Sequence, residues 1–141
     1  MRKIVVITGE PSSGKSRLSE FIRLGYDNPV LVDGAGFRKG QKMECFFNAV
    51  TSNTDLIVVD ELPAEHLKEF IYLSTDSLTV SKQGVDGFQM VCPKIVLILN
   101  GYPKIDDVDF ISFKRRVTLL KTAIETDENG NTFKITKSKF I

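Results

Sequence analysis

Five short apolar runs divide the chain: Ile4-Val5-Val6-Ile7, Val30-Leu31-Val32, Leu56-Ile57-Val58-Val59, Ile95-Val96-Leu97-Ile98-Leu99 and Val117-Thr118-Leu119-Leu120. They are rich in β-branched residues, and the first four lead into Thr8-Gly9, Asp33-Gly34, Asp60-Glu61 and Asn100-Gly101. Continuous apolar runs of this length predict strands buried on both faces of a parallel sheet. Between them the period changes. From Ser16 onward Leu18, Phe21, Ile22 and Leu24 fall near one helical face, which Asp27-Asn28-Pro29 interrupts. Residues 43–50 predict a second helix, with Cys45, Phe46, Phe47 and Val50 apolar, ended by the turn Ser52-Asn53-Thr54. Pro63 suits the first turn of a third, in which Leu67, Phe70 and Ile71 carry the spacing through Leu73. Residues 106–113 predict a fourth.

Two stretches read differently. Leu78-Thr79-Val80 opens an extended segment, and Lys82-Gln83-Gly84 and Asp86-Gly87 predict the turns of one or two tight hairpins. Near the end, Glu128-Asn129-Gly130-Asn131 separates two alternating segments and predicts another hairpin. Lys134, Lys137 and Lys139 there read as one solvated sheet face. Alternation of strand and helix gives an α/β fold with a mostly parallel five-stranded sheet and right-handed crossovers. The expectation is a three-layer sandwich in one domain over residues 1–141. Its core runs over about 3–120, with a C-terminal β-hairpin over about 117–141.

Composition narrows the classes. The chain has 141 residues, 42% of them hydrophobic, which suits one packed domain and argues against disorder. A formal net charge of +1 excludes a globally basic nucleic-acid binder but allows a local basic patch. The two cysteines, Cys45 and Cys92, match no Cys-x-x-Cys spacing and read as reduced thiols. The single histidine, His66, cannot build a zinc site with them and is expected on a helix surface. Met1-Arg2-Lys3 runs directly into a core too short for a signal peptide, and no apolar run could span a bilayer. An intracellular, cytoplasmic protein is expected, or a nuclear one if the source is viral.

The segment Gly9-Glu10-Pro11-Ser12-Ser13-Gly14-Lys15-Ser16 fits the phosphate-binding pattern Gly-x-x-x-x-Gly-Lys-Ser, between a strand and a helix. Glycines let the backbone wrap with its N–H groups inward, and the new helix adds its positive end. Lys15 would reach the outer phosphates and Ser16 would ligate Mg²⁺, with Arg17 flanking the loop. Asp60 and Glu61 stand at the carboxyl end of a buried strand, where α/β sheets place ligands. Asp60 would hold Mg²⁺ and Glu61 would act as general base on water. Asn100, at the same end of the next long strand, can hydrogen-bond both that water and the terminal phosphate. Lys114-Arg115-Arg116 precedes the fifth strand, and an arginine fork matches phosphate oxygens. Either Arg115 or Arg116 is a candidate arginine finger. Lys82 in the hairpin zone is a candidate contact to a nucleic-acid backbone. The sequence has no Asn/Thr-Lys-x-Asp guanine-reading segment, which points to ATP.

This layout resembles the superfamily 3 helicases, the AAA+-class ATPase module of viral and plasmid Rep replication proteins. Gly9 to Ser16 is similar to Walker A and Leu56 to Glu61 to Walker B. Leu78 to Gly84 resembles the B-prime element, whose DNA-contacting lysine would be Lys82. Cys92-Pro93-Lys94 through Asn100 resembles motif C, whose asparagine is sensor 1. Arg115-Arg116 stands where that family places its arginine finger. The resemblance implies that the sandwich is a P-loop NTPase (AAA+-like) fold, with Mg²⁺-dependent ATP hydrolysis at subunit interfaces of a hexameric ring, coupled to translocation on single-stranded DNA. With one histidine the chain cannot carry a His-hydrophobe-His nickase motif. It is therefore expected to be a bare motor core or a piece of a longer protein, with an origin-binding protein as a possible separate partner. Two other readings stay open: a small P-loop kinase acting on a nucleotide or metabolite, and an ATP-switched loader or regulator of a replication protein.

Overall fold

A computed structural model describes residues 4–9, 14–38, 46–70, 77–82, 85–101 and 114–139. In chain order these contain β1 (Ile4–Gly9), α1 (Lys15–Arg23), β2 (Pro29–Asp33), a 3-10 turn (Gly34–Gly36) and β3 (Leu56–Pro63). A second 3-10 turn (Ala64–His66) runs into a short helix (Leu67–Phe70). Then come β4 (Ser77–Lys82), β5 (Val85–Val91), β6 (Lys94–Asn100), β7 (Val117–Thr126) and β8 (Thr132–Lys139). The strands form a six-stranded sheet of order β2-β3-β6-β1-β7-β8 and a separate two-stranded sheet of β4 and β5. The first five strands of the large sheet run parallel, and β8 returns antiparallel to β7. The fold is α/β with a mostly parallel sheet, as the apolar runs predict. The expected C-terminal hairpin forms: β8 pairs with β7 from Leu119↔Lys139 to Thr126↔Thr132 and adds a sixth, antiparallel strand to the five parallel ones.

Register explains how unbroken apolar runs fill two faces. Ile4, Val6, Ile57, Val59, Ile95, Leu97, Leu99, Val117 and Leu119 pack on one face with Phe37, Phe46, Phe47, Phe70, Leu78 and Val80. Ile7, Leu56, Val58, Val96 and Ile98 pack on the other with Leu18, Ile22 and Tyr26. Paired positions such as Val6↔Leu97 and Ile7↔Ile98 share a face, so each sheet face is continuous across strands. The first face is covered by rings in edge-to-face contact, including Phe37 on Phe46 and on Phe70 at centroid distances of 5.1 and 4.9 Å.

Several local expectations need correction. Helix α1 ends at Arg23 and seats only Leu18 and Ile22; Phe21 and Leu24 are 73% and 84% exposed. The residue between the two seated positions that meets the sheet is the small, buried Ser19, whose hydroxyl donates to the Ser16 carbonyl. Pro63 closes β3 rather than opening a helix: its φ of −58° suits either, but its ψ of 134° is extended. The strand continues because Leu62 is fully buried and paired with Leu99. Asp86 and Gly87 belong to β5, so β4 and β5 make one hairpin whose last pair is Lys82↔Val85. His66 is not on an open helix surface. Its ring lies 5.1 Å from that of Phe37, with Glu65 and Glu69 at 3.8 and 3.6 Å. The helix expected over 106–113 lies outside the described residues, as does the start of that over 43–50; of the latter Phe46 is helical and residues 47–50 close as a turn. Cys92 is buried, its thiol donating to the Pro93 carbonyl at 3.5 Å, and Cys45 lies outside the described residues. Among the described residues, no helix is long and apolar enough to cross a membrane.

Candidate functional site

Parallel strands bring their carboxyl ends to one edge of the sheet. There β1 ends at Gly9, β6 at Asn100, and β3 passes through Asp60 and Glu61. Helix α1 starts at the same edge from Gly14, whose φ of 96° is the left-handed turn that a side chain disfavours. Among the described residues no side chain caps this helix, and its first turn holds no acid, which suits its leading N–H groups to an anion. A cleft of about 270 Å³ opens between these ends, lined by Lys15, Ser16, Asp60, Glu61, Ile98, Leu99 and Asn100. Five of the sequence-predicted site residues thus line one cavity.

Lys15 is half-buried, and its Nζ donates to the Leu99 carbonyl at 3.2 Å. Among the described residues no carboxylate pairs with it. A half-buried ammonium held only by a neutral carbonyl is poised for an anionic ligand. Ser16 is exposed at the cleft mouth. Across the cleft, β3 loses its register with β6 between Val59 and Leu62. Within that bulge Glu61 has φ 53°, the one left-handed non-glycine residue of the described chain. The Asp60 carboxylate accepts from the Glu61 N–H at 2.9 Å. The bulge leaves Glu61 exposed and Asp60 half-buried, while both line the cleft. Strained backbone of this kind costs about 1–3 kcal/mol and gathers at functional sites.

Sequence reasoning missed two supports. Thr8, 2% exposed, donates its hydroxyl to the Gly101 carbonyl at 2.8 Å, tying the end of β1 to the residue after Asn100. Thr122 of β7 in turn donates to the Thr8 carbonyl at 3.4 Å. The signal was present as hydroxyl-bearing residues ending or interrupting aliphatic runs.

The remaining predicted residues fall elsewhere. Glu10, Pro11, Ser12 and Ser13 lie outside the described residues, and Gly9 is the buried last residue of β1. Arg17 is exposed on α1 and does not line the cleft. Arg115 and Arg116 form a helical turn before β7, which starts beside Ile4, so they sit at the opposite edge of the sheet. The five-residue step from Val117 to Thr122 separates the two edges by roughly 17 Å. Lys82 ends β4 in the two-stranded sheet. Among the described residues, no group of three His, Cys, Asp or Glu gathers as a metal site. A cation at Ser16 and Asp60 would need further oxygens from phosphate and water, which is how Mg²⁺ is usually held.

No family model and no curated protein matches the chain. Among solved structures it is similar to the apo A form of the C-terminal region of NrS-1, with a TM-score of 0.54 and 15% identity. The match covers 84% of this chain and 28% of that one, so this chain spans under a third of the length of the protein it resembles, and the likeness is one of fold.

Proposed function

We propose that the protein is a Mg²⁺-dependent ATPase of the P-loop, AAA+-like class, working as a nucleic-acid motor core of the superfamily 3 helicase kind. The observation that carries this reading is the cleft itself. Lys15, which pairs with no carboxylate among the described residues, stands at the head of α1 and shares the cleft with two carboxylates and an amide from adjacent parallel strands. The strand order, with β1 between β6 and β7 and with β3 beyond β6, supports the AAA+-like assignment.

Each side chain has a task in phosphoryl transfer to water. Lys15 and the α1 N–H groups bind the terminal phosphates. Ser16 and Asp60 would hold Mg²⁺, which supplies charge neutralisation on the phosphate oxygens. Glu61 accepts a proton from the attacking water as its oxygen bonds to the terminal phosphorus and ADP leaves. Asn100 donates to the terminal phosphate and orients that water. An acid placed to take a proton from water, with an amide beside it, favours hydrolysis over phosphorylation of a bound acceptor.

The motor part of the reading rests on two features away from the cleft. Lys82 stands at the end of a hairpin outside the main sheet, a position suited to contact a single strand of DNA. Arg115 and Arg116 are too far from their own chain's cleft and suit a neighbour's, as in a ring. The test is the ATPase rate with and without single-stranded DNA over a range of protein concentrations. Stimulation by DNA, with a more than linear rise with protein, supports the ring motor. A rate indifferent to both removes the motor and leaves a switch or a kinase, which a nucleotide acceptor panel separates. With Lys82→Ala, the expected result is loss of DNA stimulation at unchanged basal turnover.

A further inference from the structure

The left-handed bulge at Glu61 needs something to hold it, and the β2 corner lies against it. Gly34 opens the 3-10 turn that follows β2 and is buried. A Cβ on it would lie 2.6 Å from the Asp60 carbonyl oxygen and 2.8 Å from both the N and Cα of Leu62. Those atoms are backbone on each side of Glu61, so no side chain can swing away to make room. Gly34 is not among the glycines with positive φ, so its lack of a side chain serves space and not conformation. The corner is fixed at both ends. The Asp33 carboxylate accepts from the Ala35 N–H at 3.0 Å, and the Phe37 N–H donates to the Gly34 carbonyl at 3.1 Å. Phe37 itself is 4% exposed among the core rings.

We propose that Gly34 is a positioning residue for the Glu61 carboxylate, wedging the β2 corner against β3 so that the bulge keeps Glu61 turned to the cleft. The bulge-holding half of this stands on geometry alone; its effect on turnover rests on the ATPase reading. Adding a methyl forces the bulge to move by a good part of an ångström, because the contacts lie below any normal Cβ separation. A displacement of about 1 Å at a reacting group can cost about 10²-fold in rate. Lys15 and Ser16 belong to a different element, so nucleotide affinity should be spared.

The experiment compares the wild-type protein with Gly34→Ala, Asp33→Ala, Glu61→Gly and the Gly34→Ala/Glu61→Gly pair. Nucleotide binding is read with Mg²⁺ and a fluorescent ATP analogue, turnover by phosphate release, and folding by thermal melting. For folded Gly34→Ala, kcat should fall about 10- to 100-fold with Kd within about threefold. Asp33→Ala removes the cap without a clash and should lower kcat by a smaller factor at unchanged Kd. Wild-type kcat in both variants overturns the turnover half. The melting temperatures need no activity. The loss caused by Gly34→Ala should shrink to half or less in the Glu61→Gly background, where the bulge can relax. Equal losses in both backgrounds overturn the wedge. A wild-type protein that binds nucleotide without releasing phosphate overturns the ATPase reading instead, and leaves the melting comparison to decide the wedge.

Discussion

On the proposed reading, Lys15 serves binding and Glu61 chemistry within one cleft. Lys15 donates to a neutral carbonyl, and among the described residues no ion pair must break for it to meet a phosphate. Removing a charge-assisted hydrogen bond of about 1.5–3 kcal/mol should weaken nucleotide binding about 10- to 100-fold in Lys15→Ala. A fluorescent ATP analogue measures this, and unchanged affinity would exclude Lys15 from the phosphate site. Glu61→Gln keeps size and polarity but takes no proton. It should bind ATP normally and lose about 10²–10⁴-fold in turnover; normal hydrolysis would exclude Glu61 as the base. Glu61→Gly makes the opposite point about stability. A left-handed non-glycine residue costs about 1–3 kcal/mol, while glycine adds a conformational cost of about 0.5–1 kcal/mol, so the strain relief dominates. The exposed carboxylate gives up little packing. The expected outcome is a protein about 1 kcal/mol more stable to denaturant and inactive. A less stable variant would mean that the side chain holds the bulge.

Hydrogen bonds between strand ends tie the cleft edge of the sheet together. Thr8→Val keeps the shape of a buried residue but leaves the Gly101 carbonyl without its 2.8 Å donor. Loss of that bond should cost about 1 kcal/mol of stability and lower kcat at unchanged nucleotide affinity, because Asn100 precedes Gly101. Wild-type kcat in Thr8→Val would show that Asn100 is held by its strand alone. Strands β1, β3 and β6 were legible because double-sided burial writes them as unbroken aliphatic runs, whereas β2 is an edge strand that leaves Leu31 53% exposed; the tail hairpin was legible too. There Asp127 accepts from the Asn129 and Asn131 N–H groups, and Gly130 takes a φ of 81°. Residue identity at Lys15, Ser16, Asp60, Glu61 and Asn100 was equally plain, since each follows an apolar run or completes a glycine pattern. What escaped depended on tertiary fit. Phe21 and Leu24 are apolar yet exposed, because α1 meets the sheet through Leu18, Ser19 and Ile22. Pro63 permits strand or helix, and the choice fell to Leu62 pairing with Leu99. The strained φ of Glu61 leaves no trace in composition, since it comes from a register shift between two strands.

Across the molecule, the sheet sets a distance that no side chain crosses. Arg115 precedes the start of β7, and the cleft lies at the far end of β1, which β7 follows in strict register from Ile4↔Val117 to Gly9↔Thr122. Strands in that pairing hold the two edges roughly 17 Å apart, far beyond the reach of an arginine side chain. If Arg115 or Arg116 acts on a terminal phosphate, as proposed, that phosphate sits in the cleft of a second copy. This makes a complementation experiment decisive. On the proposed reading, Lys15→Ala has a crippled cleft but still presents Arg115 and Arg116; an Arg115→Ala/Arg116→Ala protein keeps its cleft and lacks those two arginines. Each alone should turn over ATP at least tenfold below wild type, given that a supplied arginine is worth about 10³–10⁵ in rate. Mixed at concentrations where the wild-type rate rises more than linearly, they should recover a substantial part of the activity. The composite interface pairs the sound cleft of one copy with the sound arginines of the other. Recovery that vanishes on dilution ties the effect to assembly. If mixing restores nothing, or the double arginine variant is fully active alone, these arginines serve no neighbouring cleft and the ring mechanism falls with them.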